Sequence, residues 1–74
     1  MDKYEFNIKV EQIKKLVNKG DYETAMKIAD TIDWRRVRST SLLTTIAQVY
    51  ERNAEYQDAK DILLLAFERA PIGK

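Results

Sequence analysis

Residues 41–71, SLLTTIAQVYERNAEYQDAKDILLLAFERAP, carry two apolar stripes at helical spacing, separated by a short turn and closed by a proline. Leu42, Leu43, Ile46, Ala47, Val49 and Tyr50 recur at steps of three and four, so they share one face of a helix. Ala59, Ile62, Leu63, Ala66 and Phe67 do the same after the turn at Asn53–Ala54–Glu55. A small residue stands where each helix would cross the other, Ala47 on the first and Ala59 on the second. Small side chains there allow close approach, near the lower end of the ~8–10 Å range of interaxial distances. Pro71 cannot continue a helix and ends the unit. The pattern predicts a helical hairpin, with Ile62, Leu63 and Ala66 inside it.

The chain repeats this plan. Tyr22 and Tyr56, Ala25 and Ala59, and Ile28 and Ile62 are each 34 residues apart by subtraction, and Gly20–Asp21 aligns with Ala54–Glu55 at the same offset. A period of about 34 residues is the mark of one helix–turn–helix repeat class. The residues Leu43, Ile46, Ala47 and Tyr50, then Tyr56, Ala59, Leu63, Ala66 and Pro71, resemble the tetratricopeptide repeat. The first copy is degenerate: Lys9 and Gln12 replace Leu43 and Ile46, Ile13 replaces the small crossing residue, Ala29 replaces Leu63, and Val37 stands in place of the proline. The resemblance implies an all-α domain over residues 1–74. Its four antiparallel helices would form two stacked helix-turn-helix hairpins with right-handed superhelical stacking, the first copy spanning about 3–36 and the second about 40–71.

Local signals divide the first half. Asp2 is the predicted N-cap of a helix over about Lys3–Asn18, with Phe6, Val10, Ile13 and Val17 as its stripe and Glu11–Lys15 as a supporting pair. Gly20 closes it, tolerating positive φ. Asp21 caps a second helix running to about Ile32, and Ser39 is preferred to Asp33 as the cap of the third. The fourth is expected over Tyr56–Arg69. No apolar run approaches the ~20 residues a membrane span needs, and no signal-peptide core opens the chain. With no Cys there is no disulfide, and a cytoplasmic location is the expectation.

Chemistry is poorly supplied. The absence of His and Cys removes the commonest general base, thiolate nucleophile and imidazole ligand, so no enzyme, metal or cofactor is predicted. The net charge of +1 gives no global pull toward nucleic acid or an anionic membrane. Locally, Trp34, Arg35, Arg36 and Arg38 could stack a base and hold phosphates. The preferred reading packs Trp34 and Val37 between the hairpins and leaves the arginines to solvent or to Asp30 and Asp33.

Two surfaces are candidates for a protein partner. Leu64, Leu65 and Phe67 point away from the hairpin interior, beyond what one hairpin covers, and are expected to meet another copy of the chain or a further repeat. The chain is accordingly expected to self-associate or to be the N-terminal piece of a longer array. The family resemblance further implies a groove lined by Asn7, Glu11 and Lys14 from the first helix and by Ser41, Thr44, Gln48 and Arg52 from the third. The function expected is protein–protein association without catalysis, with nucleic-acid binding through the Trp34–Arg38 segment as the alternative.

Overall fold

The computed structural model describes residues 2–70. All regular structure in them is helical: α1 (Lys3–Lys19), α2 (Tyr22–Ala29), a single 3-10 turn (Trp34–Arg36), α3 (Thr40–Arg52) and α4 (Tyr56–Arg69). Among them no helix is long and apolar enough to cross a membrane.

The starts of the helices follow the cap chemistry. An Asp2 carboxylate oxygen accepts from the Glu5 N–H at 2.8 Å, Asp21 from the Thr24 N–H at 3.1 Å, and the Ser39 hydroxyl oxygen from the Leu42 N–H at 3.1 Å. Each satisfies one of the amide donors orphaned in a first helical turn. Asp33, the rejected cap for α3, instead accepts from the Arg35 N–H at 3.2 Å and starts the 3-10 turn. Glu55 makes no such bond, and α4 begins without a side-chain cap.

The two hairpin turns are copies of each other. The Gly20 N–H donates to Val17 and the Asp21 N–H to Leu16; 34 residues on, the Ala54 N–H donates to Glu51 and the Glu55 N–H to Tyr50. Gly20 has φ 79° and Ala54 has φ 63°, both left-handed. The next residues, Asp21 and Glu55, sit at φ −90°, ψ 72° and φ −89°, ψ 68°. The backbone of these two turns therefore matches at the 34-residue offset.

α2 is shorter than its pattern predicts, ending at Ala29 rather than near Ile32. The Thr31 hydroxyl donates back to the Ile28 carbonyl at 2.6 Å, and the Thr31 and Ile32 amides reach back only three residues, to Ile28 and Ala29. Threonine's side chain competes here for helical acceptors and tightens the last turn. Ile32 is buried all the same, as is Val37 beyond the 3-10 turn.

Helix α1 packs on α2, α2 on α3, and α3 on α4, while the 3-10 turn rests against α4. The core runs through all four helices. Ile13, Leu43, Ile46, Val49 and Ile62 are fully enclosed, and Ala25, Ala29, Ala47, Ala59 and Ala66 fill the close approaches between helices. Phe6, Leu16, Val17, Met26, Trp34 and Leu65 lie at its edge, half-buried. On α1, Glu11 pairs with Lys14 at 3.9 Å rather than with Lys15, an exposed contact of little energetic weight.

Candidate functional site

Helix α4 approaches α3 along Ala59, Ile62 and Ala66, the row at steps of three and four. Leu63 is one position past Ile62, about 100° further around the helix. It therefore falls outside the interface: Leu63 is 42% exposed, contrary to its expected place inside the hairpin. Together with Ala66, Phe67 and Ala70 it forms one wall of an open cleft whose other wall is Thr40, Ser41 and Thr44 of α3. Phe67 is 76% exposed there. The Thr44 and Thr45 hydroxyls both donate to the Ser41 carbonyl, at 2.8 and 3.1 Å, so the polar wall spends donors on its own helix.

The residues expected to form one association flank are thus divided. Phe67 lines the α3–α4 cleft with Leu63, whereas Leu64 and Leu65 line a second cleft with Trp34, Arg35, Asp61, Glu68 and Arg69. Leu65 is half-buried beside Trp34, which removes it from the exposed set, while Leu64 remains bare. The 3-10 turn, invisible as an element in the sequence pattern, provides that partial cover.

Arg35, Arg36 and Arg38 are exposed, the first of the two arrangements expected of them, and Asp30 and Asp33 do not pair with them. Asp30 accepts the Tyr50 hydroxyl at 2.5 Å, and Asp33 caps the 3-10 turn. No carboxylate among the described residues lies within 4.0 Å of an arginine. Arg69, which sequence reasoning did not single out, reaches back from α4 and donates to the Val37 carbonyl and, at 2.6 Å, to the Arg35 carbonyl. This draws Arg69 into one cleft with Arg35, Arg36 and Arg38. The Arg35 guanidinium lies 4.8 Å from the centre of the Trp34 ring. The signal for Arg69 was its position 34 residues after Arg35.

Tyr50 and Arg52 of α3, with Asn53 just beyond its end, hold α2. Besides the Tyr50–Asp30 bond, Arg52 lies 5.3 Å from the Tyr22 ring centre. The Asn53 amide donates to the carbonyls of Tyr22, at 2.9 Å, and Val49, at 2.7 Å. Burial, and then the bond to Asp30, push the Tyr50 hydroxyl pKa above its ordinary value. The hydrogen bonds from Thr24 hold the Asp21 carboxyl below its ordinary value.

Of the groove residues, Asn7, Glu11, Lys14, Ser41, Thr44 and Arg52 are exposed and Gln48 is half-buried. No hydrogen bond or ion pair joins the α1 set to the α3 set among the described residues. Ser41 and Thr44 line the apolar cleft instead, and Arg52 is engaged with Tyr22.

Comparison with protein-family models, with curated proteins and with solved structures returned no match to this chain.

Proposed function

We propose that this chain is a non-catalytic protein–protein interaction module. In this reading it is a pair of antiparallel tetratricopeptide-like hairpins in right-handed superhelical succession, and its α3–α4 cleft and the bare side of α4 receive an amphipathic helix. The observation that carries this is internal. The 34-residue offset maps α2, which is covered by α3, onto α4. Tyr22, held by Arg52 and Asn53, corresponds to Tyr56, which is 67% exposed. Ala29, 1% exposed, corresponds to Leu63 at 42%. Asp33 corresponds to Phe67. The face of α4 that matches the docked face of α2 is uncovered, and it is more apolar than its counterpart. Exposed apolar surface of this kind, rimmed by the polar wall of α3, suits a docking site.

A helix built like α3 is the natural occupant, whether it comes from another protein, a following repeat or a second copy. The α1 face argues against head-to-tail stacking of copies, because Lys9, Gln12 and Lys15 stand where α3 has Leu43, Ile46 and Val49. A synthetic peptide spanning residues 38–53 is the direct probe. Added to the full chain, it should shift amide resonances of Tyr56, Leu63, Phe67 and their neighbours saturably. The double substitution Leu63→Glu with Phe67→Lys should abolish the shifts while keeping the helical circular dichroism. Shifts absent with the unaltered chain, or unchanged in the double variant, would defeat the reading. Light scattering then tells whether a second copy is an occupant, through a mass that rises with concentration and returns to the monomer value in the same variant.

A further inference from the structure

We propose that the cleft formed by Arg35, Arg36, Arg38 and Arg69 binds a compact phosphoryl dianion, either free or carried on a phosphorylated side chain. The site adjoins the bare side of α4 but does not rest on the helix-docking reading.

Residue choice is the first support. The chain has eight lysines and five arginines, and four of the five arginines meet in this one cleft, with no lysine. Arginine's planar fork grips two oxygens of one anion at once, which an ammonium cannot do. The fifth, Arg52, is engaged elsewhere with Tyr22.

The second support is that the two acids nearest before the arginines in the sequence, Asp30 and Asp33, are committed to other work. The segment 21–33 carries four acids against one lysine directly before the arginines, and in the linear sequence it looks like their counter-charge. In the fold, Asp30 takes the Tyr50 hydroxyl and Asp33 caps the turn. Four like charges therefore share one cleft without a carboxylate within 4.0 Å among the described residues. Such a cluster repels itself unless an anion enters, and the fold holds it together. Arg69 is fixed by the carbonyls of Arg35 and Val37, and Arg35 is laid over Trp34.

The third support concerns shape. A carboxylate offers two oxygens and one charge, whereas a phosphoryl group offers three terminal oxygens and close to two charges, which suits a cleft lined by several arginines. Single-stranded nucleic acid would need an aromatic face for its bases. Trp34 is half-buried against the core and carries Arg35 on its ring, so it offers no open stacking platform.

The test is a heteronuclear NMR titration of the full chain with inorganic phosphate, pyrophosphate and a short phosphoserine peptide, each against chloride at matched ionic strength. Saturable shifts confined to residues 34–38 and 69 are expected. Arg36→Gln with Arg38→Gln should weaken binding at least about tenfold, Arg36→Lys with Arg38→Lys by a smaller factor, and Arg52→Gln not at all. Arg69 is left intact because it also secures the turn. Tighter binding of the peptide than of pyrophosphate identifies a protein-borne phosphate, and the reverse order identifies a free one. Shifts that chloride reproduces, or that survive the double Gln substitution, overturn the proposal. So does tighter binding of an oligothymidylate than of pyrophosphate, which would return the cleft to nucleic acid.

Discussion

Tyr50 shows how much a single side chain can carry. Its ring is buried, and its hydroxyl crosses from α3 to a carboxylate at the end of α2. Tyr50→Phe keeps the ring and removes the bond, which should cost about 1 kcal/mol, since exposed Asp30 regains water. Burial of the hydroxyl, and then the bond, also fix a direction of pH dependence. Below the ordinary phenol value of 10.0 the hydroxyl is protonated in both the folded and unfolded chain, and its contribution is complete. Above it the unfolded chain ionises first, so stability falls as pH rises toward the elevated folded value. Urea unfolding at neutral pH and again above that value should show an alkaline loss in the unaltered protein that is reduced in Tyr50→Phe. Equal losses would mean that the fold does not oppose ionisation of this hydroxyl. The periodic stripe announced that Tyr50 would face inward. Its partner was not legible, because Asp30 is 20 residues away and only the folded chain brings the two together.

At the scale of the element, the paired turns make a comparison internal to one molecule. Gly20 and Ala54 occupy equivalent left-handed positions, but only glycine does so without a steric cost. Ala54→Gly should therefore stabilise the protein by about 1 kcal/mol, and Gly20→Ala should destabilise it by a similar amount. Nothing lies within 4 Å of a methyl built on Gly20, so the second effect is a property of the backbone alone. Thermal melts of the two variants check both signs, and shifts in the same direction would refute the equivalence. The elements themselves were largely readable. Caps at Asp2, Asp21 and Ser39 and the bounds of α4 follow local chemistry that acts within one turn. The early end of α2 and the 3-10 turn were not readable, because threonine and aspartate side chains there compete with an apolar pattern that would equally suit a longer helix.

The whole molecule is a chain of neighbours, α1 on α2, α2 on α3, α3 on α4, with one continuous core. Trp34, the sole tryptophan, lies at the edge of the core in the turn that rests against α4. If the copies unfold together, its fluorescence and the helical circular dichroism should lose structure at the same urea concentration. Ile13→Ala, a change in the first copy, should cost roughly 2–5 kcal/mol and move both signals equally. Separate midpoints would show that the copies unfold independently. The proposed sites belong to this scale as well. The apolar cleft exists because α3 meets α4 along Ala59, Ile62 and Ala66 and leaves Leu63 and Phe67 at the rim. The arginine cleft exists because Arg69 folds back onto the 3-10 turn.

The sequence alone determined the helical class, the number of helices, the likeness of the two turns and most helix ends, since apolar periodicity, caps and turn residues act over three or four positions. The tertiary structure alone decided which side of α4 stays bare, which acids are spent on hydrogen bonds, and that the distant Arg69 joins Arg35, Arg36 and Arg38 in one cleft. Those outcomes depend on the angle at which each helix meets its neighbour. A shift of one position turns a side chain about 100° around its helix, enough to move it from core to surface.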